Sequence, residues 1–465
     1  MPYGAPDVWD ETVDVAIIGS GFAGLAAASE AASKGAKVKV LEKMPYYGGN
    51  SRIAGGGYCS WDSKLKLREK LNLGEDSPKL HIEDTLKGGA YYNDPLLVEK
   101  MVKGAPDGLN WLIDAGIEFE PTLHHLGAHS AARSYQETNR SGKAMVEALY
   151  RLATNRGAEV LLDSEVERVW REDAHRPVAG LRYSQNNIQK NIRCLKGIVI
   201  ASGGFARDVE MVTQNNPGLG KDYLCSNHRG ATGEVLRYAK AIGADTVHMG
   251  FIQLFPCAAA ESGALDRFAL ENYSGAGFGA IYVNRNGLRF VNELAGRDEV
   301  SDAQLRRQSK PTWAIYNKDI FDSLKTPVET LEKGTASKRL ARGETIEELA
   351  GKAGIAPEPL AATIREHNAV LKSGQKDRFD KQITDRMHPM EKGPFYAVAQ
   401  WPSVHFCMGG LRINQDAQVL DIWGNLIPKL YAAGEVCGGV HGANRLGGNA
   451  ITECIVFGRI AGSSV

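Results

Sequence analysis

No stretch of this sequence is apolar for long enough to cross a membrane as a helix; the longest apolar runs, such as 198–202, are strand-sized. Net charge is missing too. Fifty-five Lys and Arg balance fifty-five Asp and Glu, which argues against nucleic acid as the main partner, because phosphate binding needs a clustered basic surface. The first twelve residues lack a basic stretch followed by an apolar core, so no secretory leader is expected. The location expected from the chain as given is cytoplasmic, or periplasmic if a leader has been removed. The seven cysteines (59, 194, 225, 257, 407, 437 and 454) include no C-x-x-C pair and no haem-attachment pattern. That argues against a c-type haem, a zinc ribbon or a ferredoxin-type cluster. His124, His125 and His129 have no Cys or acid close by, so a loop near a pocket mouth is expected there rather than a metal site.

What the chain has in excess is glycine: 52 residues, bunched at 19–24, 48–57, 203–204, 275–279, 409–410 and 434–448. Clusters between apolar runs suggest backbone passing close to something large. Residues 13–42 read as one βαβ unit: a buried strand 13–18, an alanine-rich helix 21–34 closed by Gly35, and a second strand 36–42. The turn Gly19-Ser20-Gly21-Phe22-Ala23-Gly24 is a G-x-G-x-x-G, and Glu42 ends the second strand. Strand before, helix after and acid in place make this a dinucleotide fingerprint. The glycines admit a pyrophosphate at the helix N-terminus, and Glu42 accepts from a ribose hydroxyl. Strand-like runs at 159–162, 165–170, 178–183 and 196–200 suggest a β-meander returning to Gly203-Gly204. From 250 to 406 the texture is more polar and helical, with a capping-box pattern at Thr345 and Glu348 and a helix 358–372 after Pro357. After 407 the glycines and short strands return, as if a first domain resumes around an insertion.

The segment 431–435 followed by 439–450 resembles the fumarate reductase/succinate dehydrogenase flavoprotein family, most closely its soluble flavocytochrome c fumarate reductase branch without the haem domain. Gly48-Gly49-Asn50-Ser51, Gly55-Gly56-Gly57, 251–254, 284–290, 293–298 and 405–410 match as well. The resemblance implies an α/β fold. A two-part, glutathione-reductase-type Rossmann-like FAD domain (1–249 and 407–465) would carry an inserted α+β capping domain (250–406). It implies FAD held by Gly19, Gly21, Ala23, Gly24, Glu42, Lys43, Gly49, Asn50, Ser51, Gly56, Gly57, Gly203, Glu435, Asn449, Ala450 and Ile451. Covalent relatives carry a histidine near the second glycine cluster. This chain reads Gly49-Asn50-Ser51-Arg52-Ile53 there, so non-covalent FAD is expected. The implied chemistry is reduction of a C=C conjugated to a carboxylate, with hydride from the flavin and a proton from Arg297. His405 and Arg445 would hold the carboxylate, a task the planar guanidinium suits.

The chain departs from that pattern where relatives hold a second carboxylate. Phe255 stands in place of a histidine, and Asn272 and Tyr273 stand in place of a Thr-Glu pair. Between Pro256 and Asn284 the chain looks about five residues longer than its relatives. Phenylalanine cannot donate a hydrogen bond, and a buried unpaired carboxylate costs several kcal/mol, roughly. A mono-carboxylate with an apolar tail, meeting Phe255 and Tyr273, is therefore expected over fumarate. Two other readings remain open: an FAD-dependent desaturase of a ketone or acid in the manner of ketosteroid dehydrogenases, with Tyr273 active, and a non-catalytic electron carrier. No nicotinamide motif beyond the fingerprint and no FMN-attachment domain are visible. The expected partners are a small unsaturated acid and an external electron donor: a cytochrome, a reduced flavin or a quinol.

Overall fold

The structure, a computed structural model, describes residues 3–465. Strand β1 (Glu11–Ile18), helix α1 (Phe22–Ser33) and strand β2 (Val38–Leu41) form the expected βαβ unit. From Val15 to Ile18, β1 is buried on both faces, as a central parallel strand must be. The main sheet runs in the order Gln418–Leu420, Leu426–Ala432, Ile188–Ile200, β1, β2, Glu159–Leu161. Along this path all pairs are parallel except the first, and Val178–Gln185 joins the same sheet antiparallel to Ile188–Ile200, with Ser164–Arg171 antiparallel beyond it.

Two strands differ from expectation. Glu159–Leu161 is not part of the meander; it pairs in parallel with β2 at the sheet edge, because the helix Gly142–Asn155 before it makes a crossover connection. Ile188–Ile200 starts well before residue 196. Residues 188–193 pair antiparallel with Val178–Gln185, while 192–200 run parallel to β1, so one long strand serves both layers.

Alanine and glycine set the depth of packing between α1 and the terminal helix Asn449–Ser464. A Cβ at Gly458 would stand 2.6 Å from Ala23 O, and one at Gly462 would stand 2.2 Å from Ala27 O. This close approach brings the start of the terminal helix to the dinucleotide turn.

A second hydrophobic core is built entirely from residues between 255 and 398. It packs helices on an antiparallel sheet ordered Ile281–Val283, Thr312–Asn317, Phe395–Gln400, Leu340–Gly343. The helix read at 358–372 spans Pro357–Ser373. At Thr345 the capping box is half made: Thr345 Oγ1 accepts from Glu348 N at 3.2 Å, but the Glu348 carboxylate takes the amide of Glu344. The chain enters and leaves this region through paired strands, Ile252–Phe255 against Ser403–Cys407. Among the described residues no helix is long and apolar enough to cross a membrane.

Candidate active site

A long cleft runs from the β1–α1 turn to the junction with the inserted region, with about 1800 Å³ of atom-free space, part of it open to solvent. Gly19, Gly21, Ala23, Glu42, Lys43, Gly49, Asn50, Ser51, Gly56, Gly57, Gly203, Glu435, Ala450 and Ile451 line it, as do Phe255, Tyr273, Arg297, His405 and Arg445.

Gly24 and Asn449 are placed differently from the expectation that they line the cleft. Gly24 is buried in α1, where a Cβ would lie 2.0 Å from Gly19 O, so its part is helix-on-strand packing. Asn449 turns its side chain away, facing His81 Nε2 at 3.0 Å and donating to Thr85 Oγ1 at 3.1 Å.

The end of the cleft beside the β1–α1 turn is held by side chains that fix one another. Glu42 Oε2 accepts from Ser20 Oγ at 2.5 Å, and Oε1 accepts from Met44 N at 3.0 Å. Ser51 Oγ accepts from Phe22 N at 2.9 Å. Asn50 Oδ1 accepts from His228 N at 2.6 Å, and its amide donates to Asn227 Oδ1 at 2.5 Å. Lys43 is paired with Glu234 and Thr232 rather than pointing freely into the cleft. Burial pushes the Glu435 carboxyl up to about 7, although Cys407 N donates to it at 3.0 Å. Ser202 Oγ is buried without a partner beside Gly203. An orphaned hydroxyl, a glycine-lined turn and a cleft of this length fit a dinucleotide.

At the other end two buried arginines lack acidic partners. Arg297 Nη1 donates to Gln253 Oε1 at 3.1 Å, and Arg445 Nη1 donates to Leu446 O at 3.1 Å. Their Nε atoms have no partner. The acids beside Arg297 in sequence are committed elsewhere. Glu293 pairs with Arg289 and Lys381, and Asp298 accepts from Asn444 Nδ2 at 2.7 Å. Aromatic faces take the place of carboxylates. Arg297 lies 4.9 Å from the Phe255 ring centre and 4.6 Å from that of Tyr273, and Arg445 lies 4.5 Å from that of Phe406. Burial, then Arg297 and Arg445, hold His405 well below the usual histidine range, so it is neutral, with Nδ1 2.7 Å from Ser226 Oγ.

Gln253 is the residue that the sequence reading left without a role. Its amide donates to Asn444 Oδ1 and to Arg445 O, both at 2.6 Å, while its carbonyl accepts from Arg297. It ties the two arginine-bearing segments together. Ser226, Asn227 and His228 also line the cleft, and no sequence signal marks them. Of the three histidines near 124–129, only His124 lies outside the expected loop; His125 and His129 are in it. His124 ends the strand Phe119–His124 and sits 2.8 Å from Glu120, and His129 Nε2 sits 2.8 Å from Gly447 O.

Residues 14–451 match the family model described as FAD binding domain. The chain is 35% identical over 467 residues to the acrylate reductase flavoprotein subunit of Shewanella woodyi, covering 97% of this chain and 91% of that one. The chain belongs to the fumarate reductase/succinate dehydrogenase flavoprotein family. It is an FAD-dependent oxidoreductase. The flavoprotein is also 35% identical over 461 residues to the NADH:fumarate oxidoreductase of Klebsiella pneumoniae, of whose length it spans 48%. Among solved structures it resembles the open conformation of a flavocytochrome c3 fumarate reductase. The TM-score there is 0.76 at 33% identity, over 98% of this chain and 78% of that one.

Proposed function

We propose that this flavoprotein reduces the C=C bond of an α,β-unsaturated monocarboxylic acid with an apolar tail. The observation that carries the proposal is the pair of buried arginines whose neighbours are aromatic rings rather than acids. Bound non-covalently, FAD supplies the reducing equivalents. Arg445, with one orphaned Nε, and neutral His405 hold the substrate carboxylate; the guanidinium fork provides charge and orientation. Arg297, fixed by Gln253 and held over two rings, delivers the proton to the alkene carbon. No carboxylate neutralises it, so its charge is available to the anionic substrate. Phe255 and Tyr273 line the cleft beside Arg297, where Phe255 offers a second carboxylate no hydrogen bond and Tyr273 offers only an uncharged hydroxyl. The inserted region 250–406 acts as the cap that closes this site against water, with its entry strand carrying Gln253 and Phe255 and its exit strand carrying His405.

The relative named as an acrylate reductase supports a mono-acid substrate. Running the chemistry in reverse, as a desaturase, would call on Tyr273, but an anion-binding pair of arginines favours an acid over a ketone. The test is anaerobic: dithionite-reduced protein is mixed with methacrylate or cinnamate, and recovery of oxidised flavin is followed alongside formation of the saturated acid. One saturated acid per flavin is expected. Failure of every unsaturated acid to reoxidise the flavin would overturn the proposal.

A further inference from the structure

Beyond Phe255 and Tyr273 the cleft continues along one face of the helix Arg267–Gly275. Leu270, Tyr273 and Ser274, at i, i+3 and i+4, all line it, together with Gln136 and Arg140. Leu270 lies against the glycine turn, since a Cβ at Gly55 would stand 2.9 Å from it. Arg140 is the cation on this far wall, and its guanidinium is fully engaged. Nε donates to Glu120 Oε1 at 2.8 Å, Nη1 to Glu271 Oε2 at 3.2 Å and Nη2 to the Leu324 carbonyl at 2.7 Å. Glu271, completely buried behind the helix face, also accepts from Arg267 Nε at 2.5 Å. Two arginines and two glutamates thus cancel. His124, next to Glu120, adds no charge, because burial lowers its affinity for a proton.

We infer that Glu271 is a specificity-determining residue: by neutralising Arg140 it keeps the far end of the substrate cleft uncharged, so that an aromatic mono-acid is accepted there and an acid bearing a second, distal carboxylate is refused. The inference rests on the mono-carboxylate reading above. Without Glu271 the wall would carry Arg140 and Arg267 against Glu120 alone, a net positive charge facing the ring end of the substrate. With it, a distal carboxylate meets a wall whose cation is spent and behind which two buried carboxylates repel it.

The experiment compares cinnamate with trans-4-carboxycinnamate by kcat/KM. It also measures the affinity of their saturated counterparts by flavin difference spectra of the oxidised, FAD-loaded protein. Wild type is expected to favour cinnamate. Glu271→Gln, nearly the same shape without the charge, is expected to shift the preference toward the para-carboxylate by about tenfold or more, with the shift in KM and in the binding constants rather than in kcat. Arg267→Gln, at a partly exposed position, leaves two acids against Arg140 and is expected to shift the preference the opposite way. Because this second variant tips the charge balance the other way and does so from a partly exposed position, the inference stays testable if Glu271→Gln fails to accumulate. A purely packing role for Glu271 would lower both substrates alike and leave the ratio unchanged; that result, or shifts of the same sign in both variants, overturns the inference. A wild type that prefers fumarate to cinnamate would instead overturn the mono-carboxylate reading itself.

Discussion

Arg297 and Arg445 are buried with no acid and with an unpartnered Nε, whereas Arg171, also buried without an acid, donates from Nε, Nη1 and Nη2 to three backbone carbonyls. Arg133, Arg140 and Arg289 are each held by two carboxylates, which is how a buried guanidinium is normally stabilised. An arginine left with rings and one or two neutral acceptors is costly unless an anionic ligand completes it. Arg297→Ala should therefore lower kcat by roughly two to four orders of magnitude while flavin content and substrate affinity largely survive. Arg445→Ala should weaken binding and turnover together, as steady-state kinetics with a mono-acid would show. Burial, then the neighbouring Arg297, bring Arg445 down to about 9. It is charged below that pH and loses its charge above it. Affinity for a saturated mono-acid should then be flat from about pH 7 to 9 and fall by up to about tenfold per unit beyond, measured by flavin difference spectra. Arg297, His405 and Arg445 are legible in the sequence because each lies in a contiguous motif. Gln253 and Arg140 are not, because what they do depends on contacts with residues 191 and 131 positions away.

At the scale of elements, the βαβ fingerprint is readable because three local signals coincide: a doubly buried strand, a glycine turn and an alanine-rich helix. The helix Arg267–Gly275 is not readable. It lies in the stretch that looks longer than in relatives, and its one apolar stripe is short and interrupted by Glu271 and Asn272, which are buried through hydrogen bonds rather than by hydrophobicity. The glycines of the fingerprint differ in what they tolerate. A Cβ at Gly21 would meet nothing nearer than the Ser51 hydroxyl at 3.1 Å, whereas one at Gly24 would stand 2.0 Å from the Gly19 carbonyl, which is backbone and cannot swing aside. Gly24→Ala is thus expected to push α1 off the sheet and to lower the flavin-to-protein ratio of the purified protein more than Gly21→Ala does. Equal and normal flavin content in both variants would contradict the account of the turn.

At the scale of the whole molecule, the division of labour follows from two of its three hydrophobic cores, which paired strands join. The larger one supports the β1–α1 end of the cleft; the one between 255 and 398 supports the wall that carries Phe255 and Tyr273. The return of glycine-rich texture after 407 marks the same change in the sequence. Side-by-side entry and exit strands are invisible there, because their pairing spans residues 252 to 407. Non-covalent FAD predicts that acid precipitation leaves the yellow colour in the supernatant; flavin retained in the pellet would point to a covalent link that the segment Gly49–Ile53 gives no reason to expect. The central claim is that Phe255, with Tyr273 beside it, replaces a second carboxylate site with an uncharged aromatic wall. Its most direct test is the ratio of kcat/KM for cinnamate to that for fumarate, in wild type and in Phe255→His. Wild type should favour cinnamate strongly. The histidine variant should recover fumarate reduction about ten- to hundredfold, the worth of one charge-assisted hydrogen bond. Faster reduction of fumarate than of cinnamate by the wild type would contradict the account.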